Sequence, residues 1–476
     1  MSKSLKETAI GWVAENESLL TDVSDQIWEY AEVGLQEFKS SKLLADTLEK
    51  HGFKVERNVA GMPTALVATF GTGGPIIGIL GEFDALPGLS QKAVPHREPL
   101  KKEAPGHGCG HNLYGSSGMG AAIATKIAME KGKIKGTVKF FGTPAEETLI
   151  GKVFMVRDGC FKDVSAVMGH HIGAVNSVPL KSTNAMISVK FVFHGTAAHA
   201  GSTPWQGRSA LDAVELMNVG VNFMREHIVP EARIHYVIQR GGDQPNVVPA
   251  LASSWYYIRA PERETVEEIY DWVLKIAEGA GKMTKTECEM NLQSGTYNVL
   301  PNRTIAELIV NNMRIVGPPT YTKSDLEFAR EIAKEISSEA RRTWGYRVPG
   351  HDDLPADVHL DNRIVDPWGE GEVEGGSTDE ADISWNVPSV ELNTGSRIIG
   401  APGHSWFNVV IAGMSIGHKN LVFAAKSMAA SAIDLLTEPE IIKKAWDELN
   451  RRKKGREYKS PLPPGLKPPF KQFEAN

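Results

Sequence analysis

A chain of 476 residues is longer than one hydrophobic core usually spans and points to at least two domains. With 41% hydrophobic and 23% charged residues it has a globular composition, and a net charge of -6 offers no basic excess for nucleic-acid binding. No run approaches the roughly 18 apolar residues that span a bilayer, and three widely spaced cysteines, Cys109, Cys160 and Cys288, fit a reducing compartment such as the cytoplasm.

The first segment, MSKSLKETAIGWVAENESLL, mixes acidic with apolar residues, which predicts an amphipathic helix and not a secretion signal. Residues 63 to 84 predict two β-branched strands joined by a Gly-rich turn, and further strands follow at 136 to 142 and 164 to 171, with helical patterns between them. Strands alternating with helices imply an α/β fold, a sheet covered on both faces, whose ligands gather where strands end. GEFDALPG, GTPAEET and MGHHI all start at such ends.

From 185 to 300 the rhythm changes. Alternating Ile187, Val189, Phe191 and Phe193 are followed by a helix through Ala210 to Met224, strands RIHYVIQR and LASSWYYIRA, a helix through Val266 to Ile276, and a strand near TECEMNL. That order, βαββαβ, predicts a ferredoxin-like α+β domain inserted into the first. Beyond it lie predicted helices near 302 to 316 and 324 to 342, an irregular Gly/Asp/Pro-rich stretch from 346 to 380, the strand VPSVELN and a long helix from about 408 to 437. The expectation is a mixed-sheet α/β/α catalytic domain formed by 1 to 184 and 301 to 445, an inserted lid or dimerisation domain at 185 to 300, and a basic, Pro-rich tail at 446 to 476 that is either solvated or a packing arm.

Four strings carry candidate chemistry. In GHGCGHN, Cys109 and His111 can converge on one cation while glycines let the backbone wrap around it; a bare glycine turn and a cysteine nucleophile are the alternatives. In TPAEET, Glu146 and Glu147 are ordinary helix-start carboxylates unless metal ligands lie nearby, in which case one can ligate and the other act as general base. In GHHI, strand alternation sends His170 and His171 to opposite faces, so one at most reaches a shared site. In APGHSW, His404 occupies a turn before a helix. Each string is weak alone, yet together they offer Cys, His, Glu, His and His on loops of one sheet, enough for two metal ions.

Taken in order, GEFDALPG, HGCGHN, GTPAEE, GHH, GTAAHAG, NVVP, GSTDEADISW and PGHSW resemble the dimetal aminoacylase/carboxypeptidase amidohydrolases, roughly from residue 20 to 440. The resemblance implies two divalent cations per chain, Mn²⁺ or Zn²⁺, held by Cys109, His111, Glu147, His171 and His404, with the cysteine bridging and Glu146 as the base. His107 falls at a family position that does not normally ligate. Asp84 is assigned outside the ligand set, where it can orient a ligand. Related enzymes with another ligand set carry a metal-binding histidine where this chain has Glu82, which is left out of the ligands. His199 would stabilise the oxyanion, reaching across a homodimer or a heterodimer with a related subunit, and Asn246 and Arg259 would hold the substrate carboxylate. The implied substrate is a small N-acyl amino acid, first an aromatic acyl-glutamate such as p-aminobenzoyl-glutamate, then indole-acyl or benzoyl amino acids or dipeptides. Trp205, Trp385 and Trp406 are either stacking partners for the acyl group or core residues. A cysteine hydrolase built on Cys109 is the rival chemistry, and a non-catalytic partner subunit the rival outside enzymes.

Overall fold

A computed structural model of the protein describes residues 2–344 and 348–470, so the start of the irregular stretch expected from 346 and the last six residues of the expected tail lie outside the described residues. The strands are β1 Lys54–Arg57, β2 Leu66–Thr72, β3 Ile76–Glu82, β4 Gly136–Thr143, β5 Ala166–Ile172, β6 Ser182–Thr183, β7 Ala185–His194, β8 Arg233–Arg240, β9 Leu251–Ala260, β10 Glu287–Thr296, β11 Val373–Glu374 and β12 Ser389–Thr394. Six of them form one sheet in the order β1-β2-β4-β3-β5-β12. β3 runs parallel to β4 and β5, and β12 parallel to β5, while β1 and β2 pair antiparallel at one edge. The sheet is therefore mixed, with four parallel strands whose C-terminal ends open on the same edge.

Side-chain alternation gives this sheet two buried faces. Ile77, Ile79, Val138, Phe140, Ala166 and Met168 pack under the helices His111–Gly132 and Ser415–Thr437. Leu80, Phe141 and Val167 face the other way, against Phe154, Phe161 and Ile383. Leu462 is buried in that second cluster, Leu466 and Phe470 pack against it, and Arg157 Nη1 donates to the Leu466 carbonyl at 2.6 Å, so the segment after 453 lies along the domain as an arm. Residue 446, where the sequence places the start of the tail, lies inside the helix Pro439–Lys453, whose Leu449 is buried.

The second sheet has the order β10-β7-β9-β8, all antiparallel, with helices Ala210–Met224 and Arg263–Thr284 on one face. In chain order this is the βαββαβ pattern, and Ile187, Val189, Phe191 and Phe193 all enter its core. Two expected helices are broken. The segment at 324 to 342 divides into Lys323–Ala333 and Ser338–Trp344, and the one at 408 to 437 into Trp406–Ala412 and Ser415–Thr437. At the second break Trp28 donates to the Val409 carbonyl at 2.9 Å, and a Cβ on Gly413 would stand 2.5 Å from the indole, so only glycine lets the ring sit at the end of the shorter helix. Among the described residues no helix is long and apolar enough to cross a membrane.

Candidate dinuclear metal centre

The ends of the parallel strands deliver the candidate groups to one place. β3 ends at Glu82, with Asp84 two residues on; β4 leads through Ala145, in the left-handed region at φ 55, into the turn Glu146–Thr148; β5 carries His170 and His171. The loop before His111–Gly132 supplies Cys109 and places His111 at the helix start, and His404 is itself left-handed at φ 49. Strained backbone of this kind persists only where the surroundings hold it.

The hydrogen bonds sort the histidines. His170 is bonded through both ring nitrogens, to Ser117 Oγ and Thr394 Oγ1 at 2.9 Å each, which commits it to the core. His171, on the opposite face of the same strand, bonds the Ile172 carbonyl through Nδ1 at 2.9 Å and brings Nε2 to 3.3 Å from Cys109 Sγ. The Tyr114 hydroxyl ties the two segments together, donating to the Cys109 carbonyl and accepting from Ile172 N at 2.7 Å. His107 turns away and donates through Nε2 to the Ile27 carbonyl at 2.9 Å. His111 Nδ1 lies 2.8 Å from Asp84 Oδ1, while Asp84 Oδ2 accepts from Glu147 N at 3.0 Å; one carboxylate thus sets both the imidazole and the glutamate turn. His111 Nε2 then faces Glu82, Glu146 and Glu147 at 3.3, 3.8 and 3.9 Å, and His404 Nε2 lies 3.5 Å from Glu147 Oε2.

Donor atoms of Cys109, His111 and Glu147 lie within 4.8 Å of one another. His111 Nε2 and Glu147 Oε1 are buried and have no hydrogen-bond partner among the described residues. Buried polar atoms left unpaired are costly, and a cation bound between them would satisfy both, so the residues fit a metal centre of mixed N, O and S donors. The electrostatics agree. Burial pushes the Cys109 thiol up to about 12 and Glu147 up to about 7, and raises Glu146 well above the carboxylate range, aided by Glu82. Burial alone would lower His111, but Asp84, Cys109 and Glu82 outweigh it and raise it.

Several participants were not visible in the sequence. Lys152, fully buried, sets its ammonium 2.6 Å from Glu82 Oε1 and 2.5 Å from Asp379 Oδ1. Glu82, Glu146 and Asp379 also bring oxygens within 4.8 Å of one another, but Lys152 already holds two of those carboxylates. Glu37 accepts from Ala145 N at 2.8 Å and so supports the left-handed turn before Glu146.

A cavity of about 830 Å³ opens above these groups, lined by Cys109, Glu146, Glu147, His171 and His404 and, from the inserted domain, Tyr257 and Arg259. Arg259 Nη1 donates to Ser377 Oγ at 3.0 Å. His199 and Asn246 do not line the cavity. They sit together on an exposed surface, where Ala200 N donates to the Asn246 carbonyl at 2.9 Å and His199 Nδ1 accepts from Gly201 N and Ser202 N at 3.1 and 3.2 Å. The tryptophans near the motifs are elsewhere too: Trp385 is core and donates to the Asn298 carbonyl, Trp205 is 71% exposed, and Trp406 stacks on Phe407. The indoles at the cavity wall are Trp344 and Trp368.

Comparison with known proteins agrees with this geometry. The chain is 40% identical over 458 residues to one of the subunits of p-aminobenzoyl-glutamate hydrolase of Escherichia coli (strain K12), covering 94% of this chain and 95% of that one. It is 30% identical over 331 residues to the Xaa-Arg dipeptidase of Mus musculus, covering 66% and 72%. Its fold matches the crystal structure of an aminobenzoyl-glutamate utilization protein from Klebsiella pneumoniae with a TM-score of 0.58 at 19% identity, over 89% of this chain and 97% of that one. Residues 78–363 match Peptidase family M20/M25/M40, and the chain belongs to that family as a hydrolase.

Proposed function

We propose that this hydrolase uses two divalent cations, Mn²⁺ or Zn²⁺, to cleave the amide bond of an N-acyl amino acid, with an aromatic acyl-glutamate such as p-aminobenzoyl-glutamate as the preferred substrate. The observation that carries the metal reading is the clustering of Cys109, His111, Glu147, His171 and His404 at the cavity floor, each within 4 Å of another donor, with orphaned buried donor atoms. The substrate reading rests on the likeness to the p-aminobenzoyl-glutamate hydrolase of Escherichia coli.

Cys109, His111, Glu147, His171 and His404 would hold the metals. Bound there, the cations would lower the pKa of water and polarise the amide carbonyl. Glu146 takes the proton of the attacking water and returns it to the leaving nitrogen, a role suited to a carboxyl whose proton affinity burial has raised. Asp84 fixes the His111 tautomer by accepting from Nδ1–H and leaves Nε2 free to ligate. Arg259 holds the substrate carboxylate.

His199 and Asn246 act on the cavity of a partner subunit, either a second copy or a related chain. Leu216, Val219 and Phe223 form an exposed stripe on the helix Ala210–Met224, beside Val237 and Ile238 on the open edge strand β8. An edge strand next to an apolar helix face suits two-fold pairing. Three free cysteines suit a cytoplasmic setting. Metal analysis of the purified chain, with a screen of acyl-amino acids before and after chelation, tests the proposal. About two ions per chain and chelator-sensitive hydrolysis are expected; full activity without metal would overturn it.

A further inference from the structure

Among the described residues three cationic side chains besides the histidines line the cavity: Lys181, Arg259 and Arg397. Lys181 is neutralised by Glu372 at 3.0 Å and Glu374 at 3.5 Å. The two arginines differ from it. Among the described residues neither has a carboxylate within 4 Å, and the Nε of each is buried without a hydrogen-bond partner. Among the described residues Arg259 bonds only Ser377 Oγ, and Arg397 only the Ala401 carbonyl, at 3.4 Å. Arg363, by contrast, is bound to Asp361 at 2.6 Å, and Lys152 to two carboxylates. An uncompensated charge in a partly buried position is costly, and two in one cavity imply that their counter-ions arrive with the ligand.

Arg397 is prepared for such a ligand. It follows β12, the fourth parallel strand, and so stands at the strand edge that carries the candidate metal ligands. Its guanidinium lies over the Trp344 ring, 5.0 Å from the centroid, which supports the cation without neutralising it. A Cβ on Gly403 would come 3.3 Å from Nη2, so the glycine leaves the fork room.

We infer that Arg397 is a specificity-determining residue that receives a second substrate carboxylate, so that the two guanidinium groups select dianionic N-acyl amino acids, acyl-aspartates or acyl-glutamates, over neutral ones. The inference rests on the amidohydrolase reading above, in which Arg259 takes the α-carboxylate common to all substrates. A planar fork matches a carboxylate bidentately, and a substrate lacking that carboxylate leaves the fork unpaired.

The test compares p-aminobenzoyl-glutamate with p-aminobenzoyl-glutamine, which differ only in the side-chain charge. In the metal-loaded native chain kcat/KM should favour the glutamate substrate by about 10²-fold, and in Arg397→Met that preference should collapse to within a factor of about 3. Arg397→Lys, which keeps the charge but not the fork, should retain part of it. Arg259→Met should lower both substrates together and keep their ratio. Equal losses on both substrates in Arg397→Met, or a native chain indifferent to the side-chain charge, would overturn the role of Arg397 while leaving the amidohydrolase reading intact. A native, metal-loaded chain that cleaves neither substrate nor any other acyl-amino acid would overturn both.

Discussion

At the edge of the six-stranded sheet, four parallel strands and two loops of one chain bring Cys109, His111, Glu147, His171 and His404 to a common point, each within 4 Å of another donor. On the four-stranded sheet only Tyr257 and Arg259 reach that cavity, while His199 and Asn246 brace one another on an exposed loop. The contrast follows from topology. Parallel strands must all end on one side, so their loops meet without help, whereas the loops of an antiparallel sheet divide between its two ends. A cation site can be complete within one chain here, whereas His199 lies outside the cavity of its own chain.

The largest effect expected is at Glu146, on the self-sufficient side. Glu146→Gln should keep its metals and lose about 10²- to 10⁴-fold in kcat, because the amide cannot take a proton. Glu147→Gln should instead lose metal and recover some activity with added Mn²⁺ or Zn²⁺. Metal analysis beside steady-state kinetics separates the two, and the opposite pattern would mean that the carboxylates exchange roles.

His199→Ala probes the incomplete side, with a loss of about 10²-fold expected for an oxyanion donor. Mixing it with Glu146→Gln should restore about a quarter of native activity after subunit exchange, since half of the dimers are then mixed and each carries one site with both residues intact. No recovery after confirmed exchange would show that each chain completes its own site.

A smaller effect concerns pH. In the metal-free chain burial pushes Glu147 and Glu380 up to about 7 and Glu37 up to about 8, from an ordinary value of 4.5. Between those values the folded chain holds protons that the unfolded chain has released, so these groups make stability fall as pH rises from about 4.5 to 8. His107 and His171, pushed down to about 4 by burial, act in the opposite sense, but only below 6.5. Above pH 6.5 only His111, raised by Asp84, Cys109 and Glu82, joins the carboxyls, and it acts in the same sense. The metal-free Tm should therefore drop by a few degrees between about pH 6.5 and 8, and by less in the metal-loaded chain, where ligation keeps Glu147 ionised. Thermal melts with and without chelator measure the difference, and a metal-free Tm that rises over this range would contradict it.

The two regions also differ in how much of them could be read in the sequence. The candidate ligands sit in short strings of His, Cys and Glu at strand ends; strand alternation sends His170 and His171 to opposite faces, and the family resemblance chose His171. The strands and helices of the inserted domain follow equally from periodicity. What escaped depends on contacts across long chain separations. Lys152 reads as a routine residue of the helix Gly151–Arg157 until Asp379, 227 residues away, closes on it. Trp344, at the end of the helix Ser338–Trp344, meets Arg397 from beyond β12. The break at Gly413 is imposed by Trp28, from the other end of the chain. Local pattern carries no trace of such neighbours, and the same holds for Trp385, whose place beside a motif concealed a core position.

The ammonium of Lys152 divides the acidic floor of the cavity into two compartments with different histories. Glu82 and Asp379 own a counter-ion that is covalently part of the chain, and no chelator can extract it. In the proposed centre Glu147 and Cys109 would depend on ions that come and go. Demetallation should thus be felt most at Cys109 and Glu147, which take up protons, and less at Glu82 and Asp379, which Lys152 still holds. Half of the floor works as permanent scaffolding, and in the proposed centre the half that would exchange its cations is the half beside the substrate.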